Sequence, residues 1–306
     1  MVWDSLIAGY LFLAGLGAGA FILGVLASWG KTSEATPSKL KLIAFIIGPV
    51  AVAVGTLLLV LDAKAGAANP LRFFLLVANL QSVMSWGVII LCLFLAVSVI
   101  DLVILVVKKK TPKALDAIGA VLSICVAAYT GVLLGDAGTA FPLWNIAILP
   151  ILFVVSALST GFALVTLITR LVSKDDLHAV RFVEKTGIAL PVVEAVLIAV
   201  LLAVSSMASG SAAAAGSAST AALVAGAYAP AFWIGLVAVG LIVPLVLEIA
   251  AVRKGGNASV PADGTACASG ATARWAPLAA SACVVIGGFM LRYLIVMAAL
   301  PVGSVL

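Results

Sequence analysis

Charged residues, histidine and paired cysteines are all scarce in this chain of 306 residues. Charged residues make up 9% of it, whereas soluble domains carry roughly 25%. The one histidine, His178, lies in a charged loop, and the four cysteines form no CxxC pair. These shortages exclude a soluble globule and a cytochrome b with haem ligands inside its helices. They also argue against a cysteine framework, so we expect the chain to bind no haem, iron–sulfur cluster or metal ion.

Hydrophobic residues fill 64% of the chain, and the mean hydropathy is +1.31. They form repeated apolar runs of about 20 residues, the length of a membrane-spanning helix. In lipid the backbone must satisfy its own hydrogen bonds, and runs this continuous are not those of a β-barrel. The first run has no preceding basic segment and exceeds a signal-peptide core, so we expect it to be retained. The sequence predicts an all-α polytopic membrane protein with eight transmembrane helices, at residues 5–29, 40–62, 82–107, 115–135, 142–170, 186–207, 228–252 and 277–300.

Basic residues are concentrated on one predicted side of the membrane. All 17 lysines and arginines except Lys64, Arg72 and Arg292 lie in or beside the odd-numbered connections. Because basic loops remain in the cytoplasm, this distribution predicts that both termini are extracytoplasmic. It also accounts for the net charge of +5 without a nucleic-acid partner. We expect a multi-pass protein of the bacterial cytoplasmic (inner) membrane, with the lipid bilayer as its surroundings.

Four plus four spans suit two four-helix bundles, residues 1–136 and 137–306. Residues 208–227 and 255–274 are rich in glycine, alanine and serine, a composition typical of flexible loops. Two Gly-x-x-x-Gly pairs, Gly15 with Gly19 and Gly131 with Gly135, offer faces for close helix packing. In a chain so rich in small residues, chance also explains such pairs.

Hydrogen-bonding side chains gather at one predicted level near the outer membrane surface. At about 1.5 Å per helical residue, Tyr10 lies roughly 8 Å and Tyr129 roughly 9 Å below that surface. An aromatic belt explains any single tryptophan or tyrosine at this level, but a belt needs no carboxylate. Five spans contribute to the set, which comprises Tyr10, Asp62, Ser85, Trp86, Tyr129, Trp144 and Asn145.

Such a set suits a quinone, which has an apolar ring, two oxygens and access to its site from the lipid. Quinol oxidation needs hydrogen-bonding groups for the oxygens and a base for the departing protons. Tyr10 or Tyr129 would hold an oxygen, and Asp62 would accept protons. A transporter would use the same residue types, so the pocket alone does not decide between the two functions.

Two charged residues are predicted near the middle of the membrane, Glu194 in the sixth span and Arg292 in the eighth. Charges at that depth are costly and are usually paired or functional. We expect the two to face each other or to share a water-filled cavity, as an architectural ion pair or as part of a proton path. Asp101, by contrast, is interpreted as an interfacial partner of the lysines at 108–110. The cytoplasmic half of the membrane-spanning region otherwise looks sparse in polar groups.

The order of several short motifs resembles that of the NrfD family, the quinone-reactive membrane subunits typified by polysulfide reductase. The motifs run through the chain from the first span to the last. They are Tyr10–Gly19, Leu61-Asp62 with residues 69–73, Ser82–Gly87, Tyr129–Gly131, Pro142–Asn145 and Gly287–Tyr293.

The resemblance implies a subunit without a redox cofactor of its own, which binds menaquinol or another quinone near the outer face. It implies electron exchange with a ferredoxin-like iron–sulfur subunit, commonly attached to a molybdopterin catalytic subunit. In this family Tyr10 falls where polysulfide reductase has a quinone-contacting histidine, and Tyr129 matches the family tyrosine. Asp62 falls at the acidic position that ends the second span, and Glu194 resembles a recurrent acid of the sixth.

Three functions are therefore weighed. The first is the quinol-reactive subunit of a respiratory oxidoreductase, an enzyme only as part of its complex. The second is a secondary transporter or a proton-conducting membrane protein, and the third is an anchor that only holds soluble subunits at the membrane. Quinone binding favours the first function, and a polar path through both leaflets favours the second. Quinol-dependent electron transfer that stays intact in Tyr129→Phe and Asp62→Asn favours the third.

Overall fold

The computed structural model describes residues 5–29, 39–62, 81–172, 180–256 and 269–303. Within these ranges the chain is helical and has no strand. The helices are α1 (Ser5–Trp29), α2 (Lys39–Asp62), α3 (Val83–Lys108), α4 (Lys113–Gly135), α5 (Leu149–Val172), α6 (Val180–Ser206), α7 (Ala213–Val224), α8 (Val243–Gly256) and α9 (Ser269–Met297). A 3₁₀ turn (Gly210–Ala212) precedes α7, and a π-helix (Ala231–Ile242) runs directly into α8.

Eight of these segments are long and apolar enough to cross a membrane, which confirms the predicted all-α architecture with eight spans. The seventh span combines the π-helix with the start of α8 and covers Ala231–Ala250. An even number of crossings returns the chain to the side on which it started. We call the end of the bundle that holds Ser5 and Met297 the terminal end, and the other the opposite end.

The fifth helix begins later than the predicted residue 142. The backbone turns through residues 141–148 and becomes α-helical only at Leu149. The Asn145 side-chain oxygen accepts hydrogen bonds from the backbone N–H groups of Ala147 (2.9 Å) and Ile148 (3.3 Å). These are the donors that a helix leaves free at its start, so Asn145 caps the turn that leads into α5.

α1 is the most buried of the spans and packs against α2, α4, α5 and α9. Glycine permits its close approach to α5: a Cβ on Gly19 would collide with the Ala157 carbonyl, and one on Gly161 would collide with the backbone of α1. The Gly15-x-x-x-Gly19 face is therefore a true helix contact. The main apolar core is continuous from Ile7 in α1 to Ala298 after α9, while the division into two four-helix bundles stays a prediction.

The second glycine pair also marks a contact. A Cβ on Gly131 would lie 2.5 Å from the Cα of Pro150, and one on Gly135 would lie 2.7 Å from the Cα of Ile146. Without a side chain at these two positions, the end of α4 can lie directly on the beginning of α5.

The segment 208–227, expected as a flexible loop, contains the 12-residue helix α7. Its Ala215 and Ser219 are buried, and the Ser219 hydroxyl accepts a hydrogen bond from the backbone N–H of Leu300 (2.9 Å). Alanine is the strongest helix former, so a small, alanine-rich segment can be a packed helix as well as a linker. Most of the other expected loop, 255–274, lies outside the described residues.

Candidate functional site

Two buried phenols lie near the terminal end of the bundle, Tyr10 on α1 and Tyr129 on α4. Tyr10 is fully buried, and its hydroxyl has no hydrogen-bond partner among the described residues. Tyr129 is 6% exposed and belongs to the same apolar cluster. Leaving a buried hydroxyl without a partner costs about 1–3 kcal/mol. A ligand oxygen that forms a hydrogen bond with the Tyr10 hydroxyl would therefore be stabilising.

α3 packs against Tyr129 at a glycine. A Cβ on Gly87 would collide with the ring and hydroxyl of Tyr129, so the phenol lies directly against the α3 backbone. Ser85, two residues earlier on α3, is also fully buried. Thus α1, α3 and α4 bring Tyr10, Ser85 and Tyr129 to the same end of the bundle.

Asp62 is the last residue of α2, and its side chain lies outside the described part of the chain. The level of its backbone follows from its neighbours. Leu58 packs against Gly9, and Gly55 packs against the backbone of Tyr10. Asp62 is therefore about one helical turn beyond Leu58 toward the terminal end, since a turn takes 3.6 residues.

The two tryptophans of the predicted set have different surroundings. Trp86 is 53% exposed on the surface of α3, as a residue of an aromatic belt would be. Trp144 is 1% exposed, stacks on Phe141 at 4.2 Å between ring centroids, and donates its Nε1 hydrogen to the Ile295 carbonyl (2.8 Å). The Trp144 N–H is thus already used inside the protein, as is the Asn145 oxygen that caps the approach to α5. A part for these three side chains in ligand binding remains a prediction.

Glu194 and Arg292 are both buried, and Ser156 of α5 joins them. The Arg292 Nη1 donates to the Ser156 Oγ (2.9 Å). Glu194 is buried on α6, which packs against α5. The two opposite charges therefore lie together in the buried interior of the bundle, where they attract each other more strongly than in water.

Arg292 also binds backbone carbonyls from three helices. Its Nε donates to Leu11 (3.1 Å), its Nη1 to Gly288 (3.2 Å) and its Nη2 to Phe153 (3.4 Å). Gly15 leaves the room for this group, because a Cβ there would lie 2.5 Å from Nη2. A guanidinium has five donors in a rigid fork, and here the fork ties α1, α5 and α9 together at Leu11, the residue that follows Tyr10.

A second polar cluster lies at the opposite end, where the sequence had suggested few polar groups. It comprises Ser28, Lys41, Asp101, Thr111 and Asp116. Asp101 is fully buried, which corrects its interpretation as an interfacial partner of the lysines at 108–110. Asp101 lies about two helical turns before Lys108 and is flanked by apolar residues on both sides. That depth was the signal in the sequence that could have identified it.

Comparisons with known proteins give one consistent family. The family model described as "Polysulphide reductase, NrfD" matches residues 1–302. The C subunit of the polysulfide reductase of Wolinella succinogenes is 33% identical over 275 residues, which cover 82% of this chain and 84% of that protein. Protein NrfD of Escherichia coli is 30% identical over 295 residues, covering 87% and 89%. The Protein NrfD homolog of Haemophilus influenzae is 27% identical over 277 residues, covering 81% and 84%. The chain therefore belongs to the NrfD family, the family of the polysulphide reductase membrane subunit.

Proposed function

We propose that this chain is the quinol-reactive membrane subunit of a respiratory oxidoreductase and that the quinone head binds between Tyr10 and Tyr129. The observation that carries the proposal is the Tyr10 hydroxyl, which is fully buried and has no hydrogen-bond partner among the described residues. The second phenol, Tyr129, belongs to the same apolar cluster. This combination suits a flat apolar ring with an oxygen at its edge.

A tyrosine hydroxyl can donate and accept, so Tyr10 can bind the carbonyl of a quinone or the hydroxyl of a quinol. Binding would replace the unsatisfied hydroxyl with a hydrogen bond, a gain of about 1–3 kcal/mol at that atom. Tyr129 supplies a second hydroxyl, and Gly87 leaves the space in which its ring lies. Ser85 and Trp86 belong to the same wall in this proposal, while Trp144 and Asn145 hold the turn behind it.

Quinol oxidation releases two electrons and two protons, and both need an acceptor. Asp62, about one turn beyond Leu58 toward the terminal end, is the proposed base for the protons. The sequence offers neither paired haem histidines nor cluster cysteines. The electrons therefore pass to a partner subunit, which we propose to be a ferredoxin-like iron–sulfur protein attached to a molybdopterin catalytic subunit. Under the positive-inside rule, the terminal end faces the outside of the bacterial inner membrane, and the partner binds there.

The test is quinol oxidation by the assembled complex, with a short-chain naphthoquinol as the electron donor. Tyr129→Phe removes one hydroxyl and is expected to lower the rate about fivefold, since a neutral hydrogen bond is worth about 1 kcal/mol. Asp62→Asn removes the base and is expected to lower the rate about 100-fold. Tyr228→Phe, made at a half-buried tyrosine between α7 and the π-helix, is the matched control and is expected to retain full activity. Full activity of assembled Tyr129→Phe and Asp62→Asn complexes would show that the site is elsewhere.

The coupled pair of Glu194 and Arg292, together with the polar cluster at the opposite end, favours proton conduction as a second candidate function. Purified protein in vesicles with an imposed pH gradient distinguishes the two. A conducting protein dissipates the gradient without any quinol, and Glu194→Gln slows that dissipation. A protein that only oxidises quinol leaves the gradient intact.

A further inference from the structure

Five polar side chains converge at the opposite end of the bundle, each from a different part of the chain. Ser28 is at the end of α1, Lys41 at the start of α2, Asp101 in the last two turns of α3, Thr111 before α4 and Asp116 in the first turn of α4. Lys41 is 8% exposed, and both aspartates are fully buried. We call this group the Asp101–Asp116 cluster.

Within the cluster, two hydroxyls connect Lys41 to Asp116. The Lys41 Nζ donates to the hydroxyls of Ser28 (3.0 Å) and Thr111 (3.1 Å). Both hydroxyls donate in turn to the Asp116 Oδ2, over 2.7 Å from Ser28 and 3.0 Å from Thr111. This arrangement satisfies one oxygen of one carboxylate.

The other carboxylate oxygens have no donor. Neither oxygen of Asp101 nor the Oδ1 of Asp116 has a hydrogen-bond donor among the described residues, although all three atoms are buried. A Cβ on Gly119 of α4 would lie 3.5 Å from the Val97 side chain of α3. Asp101 is about one turn after Val97 and Asp116 about one turn before Gly119 on these antiparallel helices, so the two buried carboxylates lie at the same level. Two ionised carboxylates are acceptors only, and a hydrogen bond between them requires that one of them carries a proton.

Charge leads to the same conclusion. Among the residues that the structure describes, the charged groups close to Asp101 are Asp116 from α4 and Lys41 from α2. If all three are ionised, the buried cluster carries one excess negative charge, which is costly away from water. One bound proton makes the cluster neutral and supplies the missing donor. Calcium and magnesium ions need about six or more oxygen ligands, which exceeds the three oxygens left free, and the Lys41 ammonium would repel them.

We propose that Asp101 and Asp116 hold one exchangeable proton between them, so that the cluster is a proton-binding site at the end of the bundle opposite the phenols. The proton can exchange with water through the hydroxyls of Ser28 and Thr111, because both side chains are only partly buried. The site shares no residue with the proposed quinone site. Its test is therefore separate from that of the proposed function.

The experiment is infrared spectroscopy of the purified full-length protein near neutral pH, in H₂O and in D₂O. The wild type is expected to show a protonated-carboxyl band that shifts to lower frequency in D₂O. Labelling with ¹³C-aspartate is expected to shift the band as well, which separates it from the buried carboxyl of Glu194. Asp101→Asn and Asp116→Asn, each close in shape to the residue replaced, are each expected to abolish it.

Asp136→Asn is the matched control, because Asp136 is exposed in the turn after α4, and the band is expected to persist in it. Three outcomes would overturn the proposal. They are a wild-type spectrum without an aspartic-acid band, a band that persists in both cluster variants, and a band that disappears when sodium is added at constant ionic strength. The first and third need only the wild-type protein, so the proposal remains testable if a variant fails to fold.

Discussion

The Arg292 guanidinium donates a hydrogen bond from its Nε to the backbone carbonyl of Leu11 over 3.1 Å. Leu11 directly follows Tyr10, so the buried cation of α9 holds the stretch of α1 that positions the first phenol. Arg292 therefore supports one wall of the proposed quinone site.

Replacing Arg292 is expected to destabilise the protein strongly. Arg292→Met would leave Glu194 without its cationic counterpart and would remove the links to α1 and α5. Removing one partner of a buried charge pair costs about 3–5 kcal/mol, and thermal unfolding in detergent measures the loss. The double variant Arg292→Met with Glu194→Gln is expected to recover part of that stability. Equal destabilisation in the single and the double variant would show that the two charges are not coupled.

Gly19 is expected to tolerate no side chain. A Cβ there would collide with the Ala157 carbonyl of α5, and forced overpacking typically costs about 1–3 kcal/mol. Gly19→Ala should therefore lower the unfolding temperature in detergent. Gly9→Ala on the same helix is the matched control, because its Cβ would meet a Leu58 methyl at 3.4 Å, an ordinary contact. Equal unfolding temperatures for the two variants would contradict the packing of α1 on α5.

Trp144→Phe separates packing from ligand binding. The variant keeps an aromatic ring against Phe141 but leaves the buried Ile295 carbonyl without its donor, at a cost of about 1–3 kcal/mol. We expect lower thermal stability together with an unchanged affinity for a short-chain naphthoquinone, measured by equilibrium dialysis. A large loss of affinity at unchanged stability would place Trp144 in the quinone site itself.

The topology is testable with cysteines introduced at exposed positions on the two sides. Lys110→Cys lies between α3 and α4, and Asp136→Cys lies in the turn between α4 and α5. In a background whose native cysteines are replaced by serine, a membrane-impermeant thiol reagent added to intact cells is expected to label only Asp136→Cys. Labelling of Lys110→Cys alone would reverse the orientation that the basic loops predict.

Hydropathy was sufficient to predict the eight spans, because a long apolar run in lipid has no alternative to a helix. It misplaced the start of α5, since it does not register a side-chain cap such as that of Asn145. It also could not distinguish α7 from a linker, because alanine and serine occur in both. These errors concern local hydrogen bonding, to which a hydropathy average is insensitive.

The polar contacts were harder to predict than the spans. Trp144 binds a carbonyl 151 residues away, and nothing near either residue in the sequence indicates that pairing. Asp116 resembles an ordinary helix-end acid, and the depth of Asp101 in α3 does not reveal its neighbour. Only the antiparallel pairing of α3 with α4 brings the two together. Depth along a single helix could be estimated from the sequence, whereas the neighbour at that depth could not.

The most direct test of the quinone site is photolabelling of the wild-type complex with an azidoquinone, followed by mass-spectrometric mapping of the labelled peptides. We expect labels on the α1 and α4 peptides that contain Tyr10 and Tyr129, and on the α3 peptide that contains Gly87. An excess of unlabelled quinone should suppress them. Labels confined to α6–α9 and suppressed by the same competitor would contradict the proposed site.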